Sequence, residues 1–366
     1  MTMFLRSVSN EKLYLAFNIH DMDFGASFVI FRPSDAIAYH PYCDDFGPMN
    51  MSSVIDFIEE LNASIRVSGA RKIVYKVNGG RRELTNAVFL LGAFMIFRDK
   101  LSSAQVSTRF HWLDKTLLEP YCDITNTTPN FHLQLIDCWQ GLEKGRNLGW
   151  ARMPAHLAYL WGQVDEDDYR HYDNPLEGNL HEVIPGRFVA FQSPVDLGGA
   201  DYCDHPSVGR RDFSPAFYAP ALYSMGVRAV VCLCDLRYDP ADFQRHGIAH
   251  HHLPFPDGTA PSREVVRDFL RVVDTTQGSV AVHCHAGLGR TGTLIAVSMM
   301  LSHGFTAHQA MGWLRVMRPG SVMGPQQAYL CGVDRLIAAH RAVIAAAPRR
   351  SQSAPSPPAP KSAIKD

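Results

Sequence analysis

The chain contains no apolar run long enough to cross a bilayer. Its longest such stretches, Ala87 to Phe97 and Thr293 to Leu301, fall well short of the ~20 residues that a spanning helix needs. The N-terminus also lacks a basic segment followed by an apolar stretch and a small-residue cleavage site, so no secretion signal is expected. Charge imbalance is equally absent. A formal net charge of -1 and a pI near 7.0 leave no overall field to attract nucleic acid or an anionic membrane, so any electrostatic selectivity must be local. Disulfide-framework spacing is missing too. Eight cysteines are scattered over 366 residues, which points to reduced thiols and a cytosolic or nuclear address.

What is present suits a folded chain. Hydrophobic residues make up 46% and charged residues 19%, too apolar a mixture for disorder. A chain of 366 residues exceeds what one hydrophobic core usually organises, so two domains are expected. The first half reads as mixed α/β, with strands at Lys12 to Phe17 and Ser27 to Phe31 and a helix from Ser52 to Leu61. A β-rich run, Ile73 to Val77, then leads through Asn78-Gly79-Gly80-Arg81-Arg82 into a long apolar helix. Ser279 to Leu301 repeats that strand, Gly/Arg turn and helix. The two segments suggest duplicated copies of one α/β unit, in which Lys76 or Val77 stands where the second copy has Cys284.

Between the halves, Ala155 to Gln163 is expected to be helical and to lead into an acidic cluster, Asp165, Glu166, Asp167 and Asp168. Beyond Glu182, strands at Arg187 to Phe191 and Arg228 to Cys234 alternate with helices over Ala216 to Met225 and Pro261 to Thr275. Such alternation predicts a largely parallel sheet flanked by helices. Helices at Ala307 to Met317 and Pro325 to Ala345 close the domain. The expected boundaries are 1–154 for a first domain, 155–180 for an acidic helical linker, 181–347 for a second domain and 348–366 for a disordered Ser/Pro/Ala tail.

The chemistry concentrates at VHCHAGLGRTG. Cys284 and Arg290 are six positions apart, a weak signal alone, but an apolar strand precedes them and Thr291-Gly292 opens a helix. Glycines such as Gly287 and Gly289 let the backbone curl so that the N–H groups of His285, Ala286, Gly287, Leu288 and Gly289 converge on one anion. The helix N-terminus adds unpaired donors, and the Arg290 fork can bind two phosphate oxygens at once. A cradle for a dianion also stabilises a thiolate, the nucleophilic form of cysteine. Thr291 is placed to hydrogen-bond the sulfur, and His283 to orient the loop through the backbone. Displacing an alkoxide from phosphorus needs a proton donor. Asp257, in Leu253-Pro254-Phe255-Pro256-Asp257-Gly258, sits in a loop specified by its prolines and glycine. His250, His251 and His252 do not read as metal ligands, because neighbours on a strand face opposite ways, and Cys232 and Cys234 read as core. No metal or cofactor is expected.

VHCHAGLGRTGT is similar to the signature of protein tyrosine and dual-specificity phosphatases. The wider chain resembles the cell-division-cycle-fourteen, or mitotic-exit, branch of that superfamily. The branch is carried by Asp44-Asp45-Phe46-Gly47-Pro48-Met49-Asn50, Val183-Ile184-Pro185-Gly186-Arg187-Phe188 and Arg318-Pro319-Gly320-Ser321-Val322-Met323-Gly324-Pro325-Gln326-Gln327. The resemblance implies tandem dual-specificity-phosphatase folds with only the second active. It also implies preference for phosphoserine followed by proline with a basic residue beyond, read by an acidic groove that Asp165, Glu166, Asp167 and Asp168 would supply. Gln326 or Gln327 would orient hydrolytic water, and centrosome, spindle or basal body would be added to the cytoplasmic and nuclear addresses.

Three features depart from that pattern. His285 stands where the branch usually has lysine, Arg170 interrupts the acidic connector, and the tail is short. A phosphoinositide phosphatase would use the same chemistry but usually carries a more basic loop. A phosphopeptide-binding scaffold would have lost the cysteine or the acid, and both are retained here.

Overall fold

The computed structural model describes residues 2–9, 12–21, 24–125, 129–153 and 160–346. The expected tail at 348–366 lies outside them. The first half opens on β1 (Phe4–Ser9) and β2 (Leu13–Phe17), an antiparallel pair. There follow β3 (Phe28–Phe31), α1 (Met51–Val67), β4 (Lys72–Val77), α2 (Arg81–Phe97), α3 (Ser103–Arg109) and α4 (Leu135–Asn147). β4 lies parallel to both β2 and β3, giving a four-stranded sheet in the order β1-β2-β4-β3. α1 starts where the Asn50 side chain accepts from Ser53 N, the ordinary role of asparagine at an N-cap. α2 is buried from Leu84 to Phe97 and apolar around its whole circumference from Ala87 onward, as a helix surrounded by protein must be.

Residues 154–159 of the expected connector helix lie outside the described residues. The rest of it is not helical. β5 (Leu160–Trp161) turns through Gly162, at φ +75°, into the antiparallel β6 (Val164–Asp165), and a left-handed glycine ends an α-helix. The acidic cluster does form a helix, α5 (Glu166–Asp173).

The second half contains β7 (Leu180–Ile184), β8 (Phe188–Phe191), β9 (Tyr202–His205), β10 (Arg210–Phe213), α6 (Pro215–Ser224), β11 (Val227–Cys232), α7 (Ala241–Gln244) and β12 (Ala249–His252). It continues with α8 (Arg263–Thr275), β13 (Ser279–His283), α9 (Gly289–His303), α10 (Ala307–Met317) and α11 (Pro325–Ala346). Five strands form one sheet in the order β12-β11-β13-β8-β7, parallel except for the β7–β8 pair. β13 is central and buried along its length, so its chain must leave the sheet at one fixed point. The separate β9–β10 hairpin gives little sequence warning, since Arg210-Arg211-Asp212 breaks any apolar alternation.

The halves pack through α4 and α10. Glycines let these helices approach closely: a Cβ at Gly141 or Gly312 would fall 2.7 Å from backbone of the other helix, and one at Gly145 would fall 2.1 Å from the Trp313 ring. Leu15 and Phe89 of the first half consequently share one continuous apolar core with Val282 and Trp313 of the second.

Candidate active site

β13 ends at His283 and α9 begins at Gly289, and the intervening loop carries Cys284, which is 3% exposed. Four of the loop carbonyls are held by groups that flank the loop. His285 O accepts from Ser193 N at 2.9 Å, Leu288 O accepts from Gly292 N at 2.9 Å, and Ala286 O and Gly287 O accept from Arg318 at 2.9 and 2.8 Å. A peptide plane whose oxygen points out points its N–H in. Among the described residues none accepts from the N–H groups of His285 to Gly289, which leaves them for an anion. Gly287 is essential to this course: it has φ +70°, and a Cβ there would lie 2.0 Å from Phe191 O.

Arg290 is 3% exposed. Its Nη1 donates to Leu233 O at 3.2 Å and Phe255 O at 3.1 Å, while Nε and Nη2 have no hydrogen-bond partner. Asp257 Oδ1 lies 3.2 Å from Nε but out of line for a hydrogen bond. Two orphaned donors on a buried guanidinium are costly without a ligand, and here Arg290, Asp257 and His285 line a cavity of about 420 Å³ with Cys234, Asp235 and Phe255. Asp257 is exposed at its mouth, with Gly258 N donating to its carboxylate. His285 faces the same cavity, and its pKa is lowered by partial desolvation and then by the Arg290 cation.

Other expected residues separate into those that face the loop and those that do not. Thr291 is buried and its hydroxyl has no partner, so the expected bond to the Cys284 sulfur is not made in this state. Gln326 reaches the loop side: its Nε2 donates to Thr259 O at 3.2 Å, and its Oε1 would lie 2.9 Å from a Cβ built on Gly289. Gln327 points inward, accepting from the buried Arg315 at 2.7 Å. His283 Nδ1 lies 3.3 Å from Cys284 O and its Nε2 2.7 Å from the Tyr238 hydroxyl, which also meets His250. The ligand atoms of Cys232, Cys234 and His283 lie within 4.8 Å of one another and are the one group among the described residues that could hold a metal ion. They are already engaged, however, with Cys232 Sγ donating to Cys234 O at 3.2 Å and His283 held by Tyr238.

The acidic quartet needs correction. Asp165 caps α5 by accepting from Asp168 N, and the Glu166 carboxylate is bound by Arg170, which also clamps Asp56 on α1. Glu166 is therefore neutralised rather than free for a basic substrate; Asp167 and Asp168 remain exposed. Sequence reasoning also missed Arg315, Arg318, Ser193 and Tyr238. Arg318 opens the Arg318 to Gln327 segment, but its buried donors have no sequence signal. Val322 takes φ +65°, a strained value for a β-branched residue, held by Arg315 on its carbonyl and by Leu288 O on its N–H.

In the first half the corresponding turn is closed. Lys76 pairs with Asp21, and Glu83 Oε2 accepts from Gly80 N at 2.8 Å, placing a carboxylate where a bound anion would sit against the N-terminus of α2.

A parallel sheet whose central strand runs into a Cys-x5-Arg loop at a helix N-terminus is the fold of the cysteine-dependent phosphatases. Residues 7–145 match the family profile "Dual specificity protein phosphatase, N-terminal half", and residues 215–304 match "Polymorphic toxin system, DSP-PTPase phosphatase". The chain is 30% identical over 302 residues to the dual specificity protein phosphatase CDC14B of Mus musculus, covering 82% of this chain and 59% of that one. It is 32% identical over 306 residues to CDC14A of Homo sapiens, covering 82% of this chain and 48% of that one. It also matches the crystal structure of Tk-PTP in the active form, at 25% identity and a TM-score of 0.35 over 43% of this chain and 97% of that chain. The chain belongs to the CDC14 family of dual-specificity phosphatases, and spans roughly half to three fifths of the length of these two relatives.

Proposed function

We propose that this chain is a metal-independent protein phosphatase whose chemistry resides in residues 181–347, with 1–154 non-catalytic and 155–180 linking them. The observation that carries it is the loop itself, which bears Cys284: carbonyls bonded outward, N–H groups without an acceptor among the described residues, and two orphaned Arg290 donors beside Asp257. Cys284 attacks phosphorus as the thiolate, and Asp257 delivers a proton to the departing oxygen as the P–O bond breaks. Water, placed by Gln326, then hydrolyses the cysteinyl phosphate while Asp257 takes its proton. Arg290 strengthens its hold as charge shifts to the equatorial oxygens.

The substrates are phosphoserine esters, with phosphothreonine and phosphotyrosine also accepted. Followed by proline, such sites are those made by cyclin-dependent-type kinases. Family membership supports this preference, as do the exposed carboxylates of Asp165, Asp167 and Asp168. Free thiols at all eight cysteines suit a cytoplasmic or nuclear setting, and no helix among the described residues is long and apolar enough to cross a membrane. The test is phosphate release from a panel of phosphoSer-Pro, phosphoThr-Pro and phosphoTyr peptides, with and without lysine at the third position after the phosphoresidue, alongside a phosphoinositide. Faster turnover of phosphoSer-Pro peptides with the lysine is expected. A dominant lipid activity would overturn the protein-substrate reading.

A further inference from the structure

Arg318 follows α10 and is 1% exposed. Its Nε and Nη2 donate to Gly287 O and Ala286 O at 2.8 and 2.9 Å, and its Nη1 donates to Asn179 O at 3.1 Å and to His181 Nδ1 at 2.9 Å. Arginine only donates, so His181 Nδ1 is an acceptor and the imidazole proton sits on Nε2. That nitrogen donates to Asp173 Oδ1 at 2.8 Å. Asp173 Oδ2 in turn accepts from Asn50 Nδ2 at 2.9 Å, and Asn50 is the cap of α1 in the first half. Tyr169 covers His181, with ring centroids 4.8 Å apart, and its hydroxyl donates to Met317 O at 3.0 Å, next to Arg318.

Each link has a physical task. The guanidinium plane fixes two consecutive loop carbonyls, and if either turned inward its oxygen would oppose the anion that the N–H groups attract. A buried cation without a countercharge is expensive; Asp173 supplies that charge through a neutral imidazole. Asn50 fixes the second Asp173 oxygen and so ties its position to α1.

We propose that Arg318 is the positioning residue of the phosphate loop and that the Asn50–Asp173–His181 chain sets its orientation, so that the half without a nucleophile fixes the geometry of the half with one. The inference rests on the phosphatase reading for what the loop binds, and its test uses an anion whose binding needs no turnover. Tungstate affinity is measured by calorimetry on the full chain, with melting curves and steady-state kinetics on an aryl phosphate in parallel. His181→Leu and Asp173→Asn are expected to stay folded, to bind tungstate about tenfold more weakly, the scale of one lost hydrogen bond to a charged group, and to lose kcat. Their KM alone should not account for the defect. His181→Asn, which keeps a donor and an acceptor, should recover most of the affinity, whereas Arg318→Lys, a point charge that cannot span both carbonyls, should not.

The proposal is overturned if folded His181→Leu and Asp173→Asn bind tungstate like wild type, if their loss only tracks an unfolded fraction, or if His181→Asn is as impaired as His181→Leu. Wild type that binds tungstate but hydrolyses no phosphoester would instead sink the phosphatase reading and leave this coupling standing.

Discussion

Two strand-turn-helix units in this molecule begin alike and end differently. In the first, β4 reaches Val77 and Gly79-Gly80 lead into α2, but Lys76 is neutralised by Asp21 and Glu83 folds back onto Gly80 N. In the second, β13 reaches His283 and no carboxylate among the described residues caps α9. The donors there are left open, and Arg290 keeps two unsatisfied nitrogens. A helix N-terminus attracts negative charge in either unit. The difference is whether the protein supplies that charge itself or reserves the place for a ligand, and the self-satisfied unit is free to serve as a scaffold.

The largest test of that contrast is Cys284→Ser, which should lower aryl phosphate turnover at least about 10⁴-fold, on the scale seen when a nucleophile is removed. Cysteine placed at Lys76 or Val77 in that background should restore nothing, because Glu83 occupies the turn; restored turnover would break the contrast. Asp257→Asn comes next, lowering kcat about 10²- to 10⁴-fold, less for substrates with good leaving groups, as a comparison of alkyl and aryl phosphates would reveal.

Acid should also separate the halves. Burial lowers the pKa of His181, in the second half, despite its bond to Asp173, and burial pushes His250, also in the second half, down to about 4, with the neighbouring histidines adding to it. A histidine whose folded pKa lies below its unfolded value contributes stability present above about pH 6.5 and lost as pH falls toward the folded value. Between pH 6.5 and 4, amide exchange should therefore rise in β11 to β13 before it rises in β1 to β4; simultaneous opening would contradict this.

Two smaller effects sharpen the comparison. Glu83→Ala removes a capping carboxylate and should cost about 1 kcal/mol, seen as a lower melting temperature with turnover unchanged. His285, held neutral near pH 7 by desolvation and Arg290, leaves the loop less cationic than lysine would. His285→Lys should lower KM for an aryl phosphate roughly threefold at pH 7, and the gap should narrow as acid gives the wild-type imidazole its proton.

Much of this was legible in the residues. The apolar run of β13, the glycines after Cys284 and the Thr-Gly helix start specify the loop locally, and the Pro-Asp-Gly turn marks Asp257. The Asn78 to Arg82 turn likewise disclosed the first copy of the unit. The connector misled because Gly162 permits a left-handed turn that apolar content does not reveal. The acidic quartet misled because Arg170, recognised as an interruption, turns out to bind Glu166 and Asp56 together, and Asp56 is remote in sequence.

The sequence by itself therefore determined the Cys284 to Arg290 loop, since a cysteine, an arginine and the intervening glycines need only local backbone geometry. Tertiary structure decided which peptide planes of that loop face the anion. Those orientations depend on Ser193, Arg318, His181, Asp173 and Asn50, donors and acceptors that come together only when β7, α5, α10 and the start of α1 pack, and hydrogen bonds between residues so far apart leave no periodic mark on the chain.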